Sequence, residues 1–167
     1  MMEEWDMRIK KVFIVDSDPL YREKLHCYLE RNEHIDIIAF DSAEECLEYL
    51  ETIPDLIILD YHLDSDFQKT MSGYELLRYA HRSFPEIKVV MLSSFDNHEE
   101  DMNSARYGAF DYIPKTESNL SRIENTIINA FQYHQLEQEI QLNRKGLYLS
   151  LAVVILLGIG GLSFMVH

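Results

Sequence analysis

The sequence contains few basic residues and few cysteines, and each shortage excludes a class of protein. Its 15 Lys and Arg residues stand against 29 Asp and Glu residues, for a formal net charge of −14. Because binding to DNA or RNA depends on basic side chains that displace counterions from phosphates, we expect no nucleic-acid partner. The two cysteines, Cys27 and Cys46, lack the spacing of a metal site. We expect both to be free thiols, buried or half-buried, in a reducing compartment.

The first residues of the sequence do not predict a secretory signal. These residues, MMEEWDMRIKK, contain no apolar core, which such a signal requires. A length of 167 residues, 47% of them hydrophobic and 26% charged, is typical of one ordinary globular domain with little chain to spare. We therefore expect a folded N-terminal domain that stays in the cytoplasm.

One long apolar run lies near the C-terminus, where residues 147–166 include no charged residue. A helix of that length spans roughly 30 Å, the thickness of the hydrocarbon core of a bilayer. A buried core helix is the alternative, but such a helix is normally shorter and has a polar face. Arg144 and Lys145 precede the run and only His167 follows it, which favours a cytoplasmic N-terminal side. We expect a single-pass anchor, residues 146–166, in the bacterial inner membrane.

The first 116 residues alternate between short apolar runs and helical patterns. The runs lack a polar face, as do strands buried on both faces of a parallel sheet. They cover residues 11–16, 35–40, 55–60, 88–93 and 111–114. Capping residues mark the helix starts between them, namely Asp18, Ser42, Ser72 and Asp96. This order predicts an α/β fold with a doubly wound, five-stranded parallel sheet of (βα)5 type, similar to flavodoxin.

A last helix is predicted to begin near Glu117 or Ser118, and no Pro or Gly interrupts the chain until Gly146. We divide the chain into a domain of residues 1–120, whose last helix continues to about residue 133, a helical stalk of residues 134–145 and the anchor of residues 146–166. The stalk is mostly polar with scattered apolar positions. A two-stranded coiled coil and a solvated single helix both remain open.

Polar residues are predicted to meet at one edge of the sheet, beyond the carboxyl ends of the strands, where open α/β sheets bind ligands. The first strand ends at Asp16, the third at Asp60 and the fourth at Ser93, and Lys115 follows the fifth. Carboxylates recruit Mg²⁺, and an aspartate can itself be a phosphoryl acceptor. A hydroxyl and an ammonium group bind phosphoryl oxygens. The set is therefore suited to phosphoryl transfer.

Four segments in order, FIVDSDP, LIILDYHL, VVMLSSFD and GAFDYIPK, resemble the receiver domain of two-component response regulators. The resemblance covers about residues 11–115 and implies that Asp60 accepts a phosphoryl group from a histidine kinase or a phosphotransfer protein. It implies that Asp16 belongs to the acidic pair that binds Mg²⁺ together with Asp60. Ser93 matches the hydroxyl and Lys115 the lysine of the family.

The resemblance also implies that the backbone carbonyl of His62 contacts the metal and that Tyr112 is the switch aromatic that moves with Ser93. Ser17 departs from the pattern, because the family usually has a second acid there. We expect weaker Mg²⁺ binding as a result, with Ser17 or Asp18 as alternatives for the further ligand. Asp18 can instead cap the first helix. A second departure is the extended loop of residues 64–70, for which we favour no functional role.

The resulting expectation is a membrane-anchored receiver that signals through protein contacts, without a DNA-binding output domain. By resemblance, its own chemistry is limited to self-phosphorylation and self-dephosphorylation, so it is not otherwise an enzyme. The surface of the fourth helix, the fifth strand and the last helix would bind a downstream protein or a second copy of the chain. The alternative is a pseudo-receiver that acts, unphosphorylated, as a membrane-tethered scaffold or binding module.

Overall fold

A five-stranded parallel sheet forms the centre of the N-terminal part of the protein. The structure, a computed structural model, describes residues 9–63, 71–94 and 105–165, and within these it describes residues 117, 134, 138 and 152–165 by their backbone alone. The strands are β1 (Lys10–Val15), β2 (Ile35–Phe40), β3 (Leu56–Asp60), β4 (Lys88–Ser93) and β5 (Asp111–Pro114). All neighbouring pairs are parallel, in the order β2-β1-β3-β4-β5. The predicted fold class is confirmed, and this is the flavodoxin-like order.

The strands form where the sequence has apolar runs without a polar face. All five residues of β3 are buried, and the last four residues of β1 are fully buried. Such strands are stable only when helices cover both faces of the sheet. In β2, by contrast, only Phe40 is buried, because β2 lies at an edge of the sheet. The predicted ranges of β2, β4 and β5 match the observed ones. The predicted ranges of β1 and β3 differ from the observed ones by one residue.

In the described residues, three helices connect strands, and side-chain caps begin each of them. They are α1 (Pro19–Leu29), α2 (Ala43–Tyr49) and α3 (Gly73–Ser83). Asp18 accepts hydrogen bonds from the first turn of α1, Ser42 from Glu45 at the start of α2, and Ser72 forms a complete capping box with Glu75. The fourth predicted cap, at Asp96, lies outside the described residues.

The core lies between the sheet and these helices, and one cysteine prediction fails there. Cys46 is fully buried in the cluster that α2 and α3 form on the sheet, as predicted. Cys27 is exposed, contrary to prediction. The buried side of α1 is formed by Leu25 and Leu29. Cys27 lies two residues from each of them, a spacing that places it on a different side of a helix.

The last helix runs from Leu120 to Met165, after a 3-10 turn at Glu117–Asn119; we call it the C-terminal helix. It begins two to three residues later than predicted, because the 3-10 turn takes up the predicted start. The chain divides into two compact units, Met1–Ala130 and Phe131–His167. Within the described part of the chain, no helix combines the length and apolar character that a membrane crossing requires. Most of the predicted anchor, from residue 152 onward, lies outside the side chains that the structure describes.

Candidate functional site

Two buried carboxylates share one ammonium group at the carboxyl edge of the sheet. Lys115 Nζ lies 2.8 Å from Asp16 Oδ2 and 2.7 Å from Asp60 Oδ2. Asp16 follows β1, Asp60 ends β3 and Lys115 follows β5, so three parallel strands deliver the three groups to one place. Their side chains are 1%, 4% and 7% exposed, respectively. The predicted convergence of these residues is therefore present in the structure.

Backbone amides hold the second oxygen of each carboxylate. The Asp18 N–H donates to Asp16 Oδ1 at 2.9 Å, and the His62 N–H donates to Asp60 Oδ1 at 3.1 Å. Each donor lies two residues after its acceptor, in the turn by which the strand leaves the sheet. Both carboxylates are thus oriented by the turns themselves. The Arg22 guanidinium donates to the Asp16 backbone carbonyl, which ties α1 to the same turn.

The electrostatics of Asp60 favour its neutral form more than those of an ordinary aspartate. Burial raises the pKa of the Asp60 carboxyl, and the charge of Asp16 raises it further. The hydrogen bond and charge of Lys115 and the His62 N–H lower it, without cancelling the effect of burial. An ionised Asp60 is therefore held in a place that penalises its charge, and the site would gain from a further cation.

Ser93 and Tyr112 occupy the neighbouring strands. Ser93 ends β4 with no exposed surface, and its carbonyl accepts a hydrogen bond of 2.7 Å from the Lys115 N–H. Tyr112 is 8% exposed and belongs to the core cluster. Tyr112 lies on β5, and the hydrogen bond from Lys115, the residue after β5, joins the end of this strand to the end of β4. The switching role of Ser93 and Tyr112 stays a prediction.

The oxygen atoms at this edge fit Mg²⁺. Within the described ranges, no cluster of three or more acidic, histidine or cysteine side chains could hold a metal. Mg²⁺, however, is commonly bound by one or two carboxylates together with waters. Asp16 and Asp60 would supply the carboxylates, and the carbonyl of His62, two residues after Asp60, lies 3.5 Å from Ser17 Oγ. The Ser17 hydroxyl therefore lies near one of the predicted Mg²⁺ ligands, but it is neutral and adds no negative charge to the site.

Asp18, the alternative ligand to Ser17, caps α1 through one of its carboxylate oxygens. Its Oδ1 accepts hydrogen bonds from the N–H groups of Leu20, at 2.9 Å, and Tyr21, at 3.2 Å. This is the geometry of an N-cap, so the capping interpretation of Asp18 is confirmed. The extended loop of residues 64–70 lies outside the described residues.

Two residues that sequence analysis missed also border the site. The Tyr21 ring centroid lies 5.1 Å from Lys115 Nζ. Burial, with the charges of Asp16 and Asp60, raises the pKa of Tyr21 to about 12. Its hydroxyl is buried and has no hydrogen-bond partner among the described residues. A tyrosine three residues beyond a helix cap gives no sequence signal for this position.

The second missed residue is Gly73, the first residue of α3, which packs on the backbone of Asp60. A Cβ on Gly73 would lie 1.8 Å from the Asp60 carbonyl oxygen. The sequence SGYE indicates a helix start but not which backbone that start approaches. The glycine is the only signal, since it permits a close backbone contact.

Comparison with known proteins agrees with this geometry. The family model of the response regulator receiver domain matches residues 12–128. The heme response regulator HssR of Staphylococcus saprophyticus is 37% identical over 103 residues, which cover 61% of this chain and 43% of that protein. The response regulator protein VraR of Staphylococcus epidermidis is 32% identical over 110 residues, covering 65% of this chain and 50% of that protein. The chain thus spans about half the length of the curated relatives it matches.

A solved structure extends the comparison to the fold. The CheY-like response regulator receiver domain protein from Methanospirillum hungatei is 26% identical, with a TM-score of 0.67 over 77% of this chain and 98% of that chain. The residues that the family model matches begin within β1, include the other four strands of the sheet and contain Asp16, Asp60 and Lys115. With the family model matching well over half of the chain, the protein belongs to the response regulator receiver family.

Proposed function

We propose that Asp60 accepts a phosphoryl group from a histidine kinase or a phosphotransfer protein and that the protein signals through contacts with other proteins. The observation that carries the proposal is the position of Lys115 Nζ, within 2.8 Å of both Asp16 and Asp60. A carboxylate with a fixed ammonium neighbour is suited to receive a phosphoryl group, because the new negative charge arises where a cation is already placed.

The transfer follows from the chemistry of a carboxylate nucleophile. An Asp60 oxygen attacks the phosphorus of the donor, the bond from phosphorus to the donor's nitrogen breaks, and an acyl phosphate forms. Lys115 then offsets the charge of the phosphoryl oxygens, because the Asp60 carboxylate gives up its own charge when the acyl phosphate forms. Mg²⁺, held by Asp16, Asp60 and the His62 carbonyl, would supply further positive charge to these oxygens. The His62 N–H holds the carboxylate in one orientation during attack.

A change of state at Asp60 can reach the surface through β4 and β5. Ser93 and Tyr112 lie on these two strands, and the hydrogen bond from the Lys115 N–H to the Ser93 carbonyl joins the strand ends. Phosphorylation then shifts an equilibrium between two arrangements of this region. The readout is a protein surface, with a downstream protein as its partner.

The test is phosphorylation of the full-length chain by acetyl phosphate with Mg²⁺, followed by intact mass. We expect a gain of one phosphoryl group that Asp60→Asn abolishes. Asp41→Asn is the matched control, because Asp41 is an exposed aspartate immediately after β2, at the same edge of the sheet. A gain that persists in Asp60→Asn would contradict the proposal. So would the absence of any gain at saturating Mg²⁺.

The second part of the proposal is a membrane anchor at residues 146–166, with the receiver on the cytoplasmic side of a bacterial inner membrane. Its support is the uncharged run of residues 147–166, preceded by Arg144 and Lys145. The chain should remain in the membrane fraction after carbonate washing. Replacing Leu156 and Ile159 with lysine should release it, and release of the unmodified chain would contradict the anchor.

One observation favours a second candidate function, an unphosphorylated scaffold tethered to the membrane. Ser17 occupies the position where an acid is usual, so the ligand set for Mg²⁺ contains one charge fewer. A scaffold would bind its partner equally well with Asp60, Asp60→Asn or a beryllofluoride-treated site. A partner affinity that changes with beryllofluoride would favour the switch.

A further inference from the structure

The second unit of the chain has an exposed apolar stripe along the C-terminal helix. The stripe follows alternating steps of three and four residues, which is the spacing of one helix face in a coiled coil. Its positions are 133, 136, 140, 143 and 147. Their side chains are Tyr, Leu, Ile, Asn and Leu. Four of them are large and apolar and are between 51% and 67% exposed. We call these five positions the seam.

We propose that the seam is an interface with a second copy of this chain, formed as a parallel two-stranded coiled coil. The order of steps places positions 133, 140 and 147 at the first core position of each heptad, and 136 and 143 at the second. Ile140 is then a β-branched residue at the first position and Leu136 a leucine at the second. This combination favours two-stranded parallel coils.

Charges beside the seam complement a second copy in the same orientation. Glu139 and Arg144 occupy the flanking positions that face each other between parallel helices, five residues apart. Both side chains are exposed, and neither is in an ion pair within the described part of the chain. In a symmetric dimer this contact occurs twice. The pattern therefore selects a copy of the same chain as the occupant.

The interface is short, so we expect dimer formation to depend on the proposed membrane anchor. The seam spans only about two heptads, and helices of that length are marginal in water. Anchoring two copies in one membrane would raise their effective concentration and fix the same direction for both. A second copy of the chain would thus be one partner of the proposed membrane-anchored receiver. The proposed dimer rests on the proposed anchor for its strength but does not require phosphorylation of Asp60. An experiment can therefore contradict the dimer without contradicting phosphorylation, and the reverse.

Disulfide cross-linking of the full-length chain in membrane vesicles tests the inference. Single cysteines replace Leu136, Asn143 or Leu142 in a Cys27→Ser background, which removes the exposed native thiol. Leu142 is the matched control, because it is 67% exposed and apolar but lies off the seam. We expect the positions on the seam to cross-link faster than Leu142→Cys by on the order of tenfold, since disulfides need close, facing Cα atoms.

Two outcomes would overturn the proposal. Equal rates at all three positions would mean random collision, and cross-linking at Leu136→Cys without Asn143→Cys would mean another register or direction. A second experiment tests the predicted ion pair between the two helices. Glu139→Arg should lower the dimer fraction several-fold, and adding Arg144→Glu in the same chain should restore it. A double variant that stays monomeric would exclude the Glu139–Arg144 contact.

Discussion

The first residue of α3, Gly73, lies directly against the main chain of Asp60. A Cβ on Gly73 would stand 1.8 Å from the Asp60 carbonyl oxygen and 2.9 Å from its carbonyl carbon. Both distances are far below van der Waals contact, and the obstacle is backbone, which cannot rotate away as a side chain can. The start of α3 and the position of Asp60 are thus tied together.

Gly73→Ala should therefore damage the site as well as the fold. Either α3 or the turn after β3 must shift, and we expect a loss of about 2 kcal/mol or more in the free energy of unfolding. Urea unfolding and the acetyl phosphate reaction measure the two effects. Gly146→Ala is the control, because a Cβ there meets nothing within 4 Å and Ala is the better helix former. Equal stability of Gly73→Ala and the parent would contradict the packing.

The charge of Asp60 should cost stability. Its pKa is raised by burial, so the folded state holds the proton more tightly than the unfolded state does. The corresponding stability is present in acid and is lost as the pH rises through the raised pKa. Asp60→Asn should then be more stable than the parent at neutral pH by about 1 kcal/mol, with a smaller difference in acid.

Thermal unfolding from acid to neutral pH, without divalent cations, measures this difference. Asp41→Asn serves again as the control, because an exposed aspartate has little desolvation to relieve. An Asp60→Asn variant that loses stability as the pH rises, relative to the parent, would show that Lys115 outweighs burial at this position.

Much of this arrangement could be predicted from the sequence, because the residues concerned are tied to strand ends. A strand that is apolar throughout and ends at Asp60 leaves few choices for where that carboxylate lies. The sheet order then brings Asp16 and Lys115 to it. The approach of Gly73 and Tyr21 could not be predicted, since it depends on how α1 and α3 cross the sheet. Cys27 was misplaced for the same reason, because the side of α1 that is buried is set by packing.

Lys115 should be indispensable to the folded site at neutral pH. Lys115→Gln leaves two buried carboxylates side by side without their shared cation, and removing one partner of a buried ion pair typically costs about 3–5 kcal/mol. The loss should shrink in acid, where the Asp60 carboxyl, whose pKa is raised by burial, takes up a proton. Lys11→Gln is the control, since among the described residues Lys11 Nζ makes a single, exposed contact, of 3.4 Å with the Thr52 carbonyl. Similar losses for both variants, by urea unfolding, would contradict a special role of Lys115.

Tyr21 and Tyr28 should respond in opposite ways to loss of their hydroxyl groups. The Tyr21 hydroxyl is buried and has no partner among the described residues, so Tyr21→Phe should leave stability unchanged or raise it slightly. The Tyr28 hydroxyl donates to Glu124 at 3.0 Å, so Tyr28→Phe should cost about 1 kcal/mol. Urea unfolding compares them. In an alkaline absorbance titration, Tyr21→Phe should remove a phenol with a pKa of about 12.

Because Ser17 stands where the family usually has an acid, we expect that restoring the acid would strengthen Mg²⁺ binding. The Ser17 hydroxyl lies 3.5 Å from the His62 carbonyl, so a carboxylate at this position would stand beside a predicted ligand of Mg²⁺. We expect Ser17→Asp to bind Mg²⁺ more tightly by roughly tenfold, because a carboxylate is a stronger ligand than a hydroxyl. Without Mg²⁺ the same variant should be less stable than the parent, since a third carboxylate joins Asp16 and Asp60 around one lysine.

Calorimetric titration with Mg²⁺ and urea unfolding with and without the ion measure both effects. Ser42→Asp is the matched control: it adds the same charge near the carboxyl end of β2, where aspartate caps a helix as well as serine does. Higher affinity in Ser17→Asp alone would identify the turn after β1 as part of the metal site. Equal affinity in the parent and Ser17→Asp would mean that Asp16, Asp60 and the His62 carbonyl already suffice, and that Ser17 does not limit metal binding.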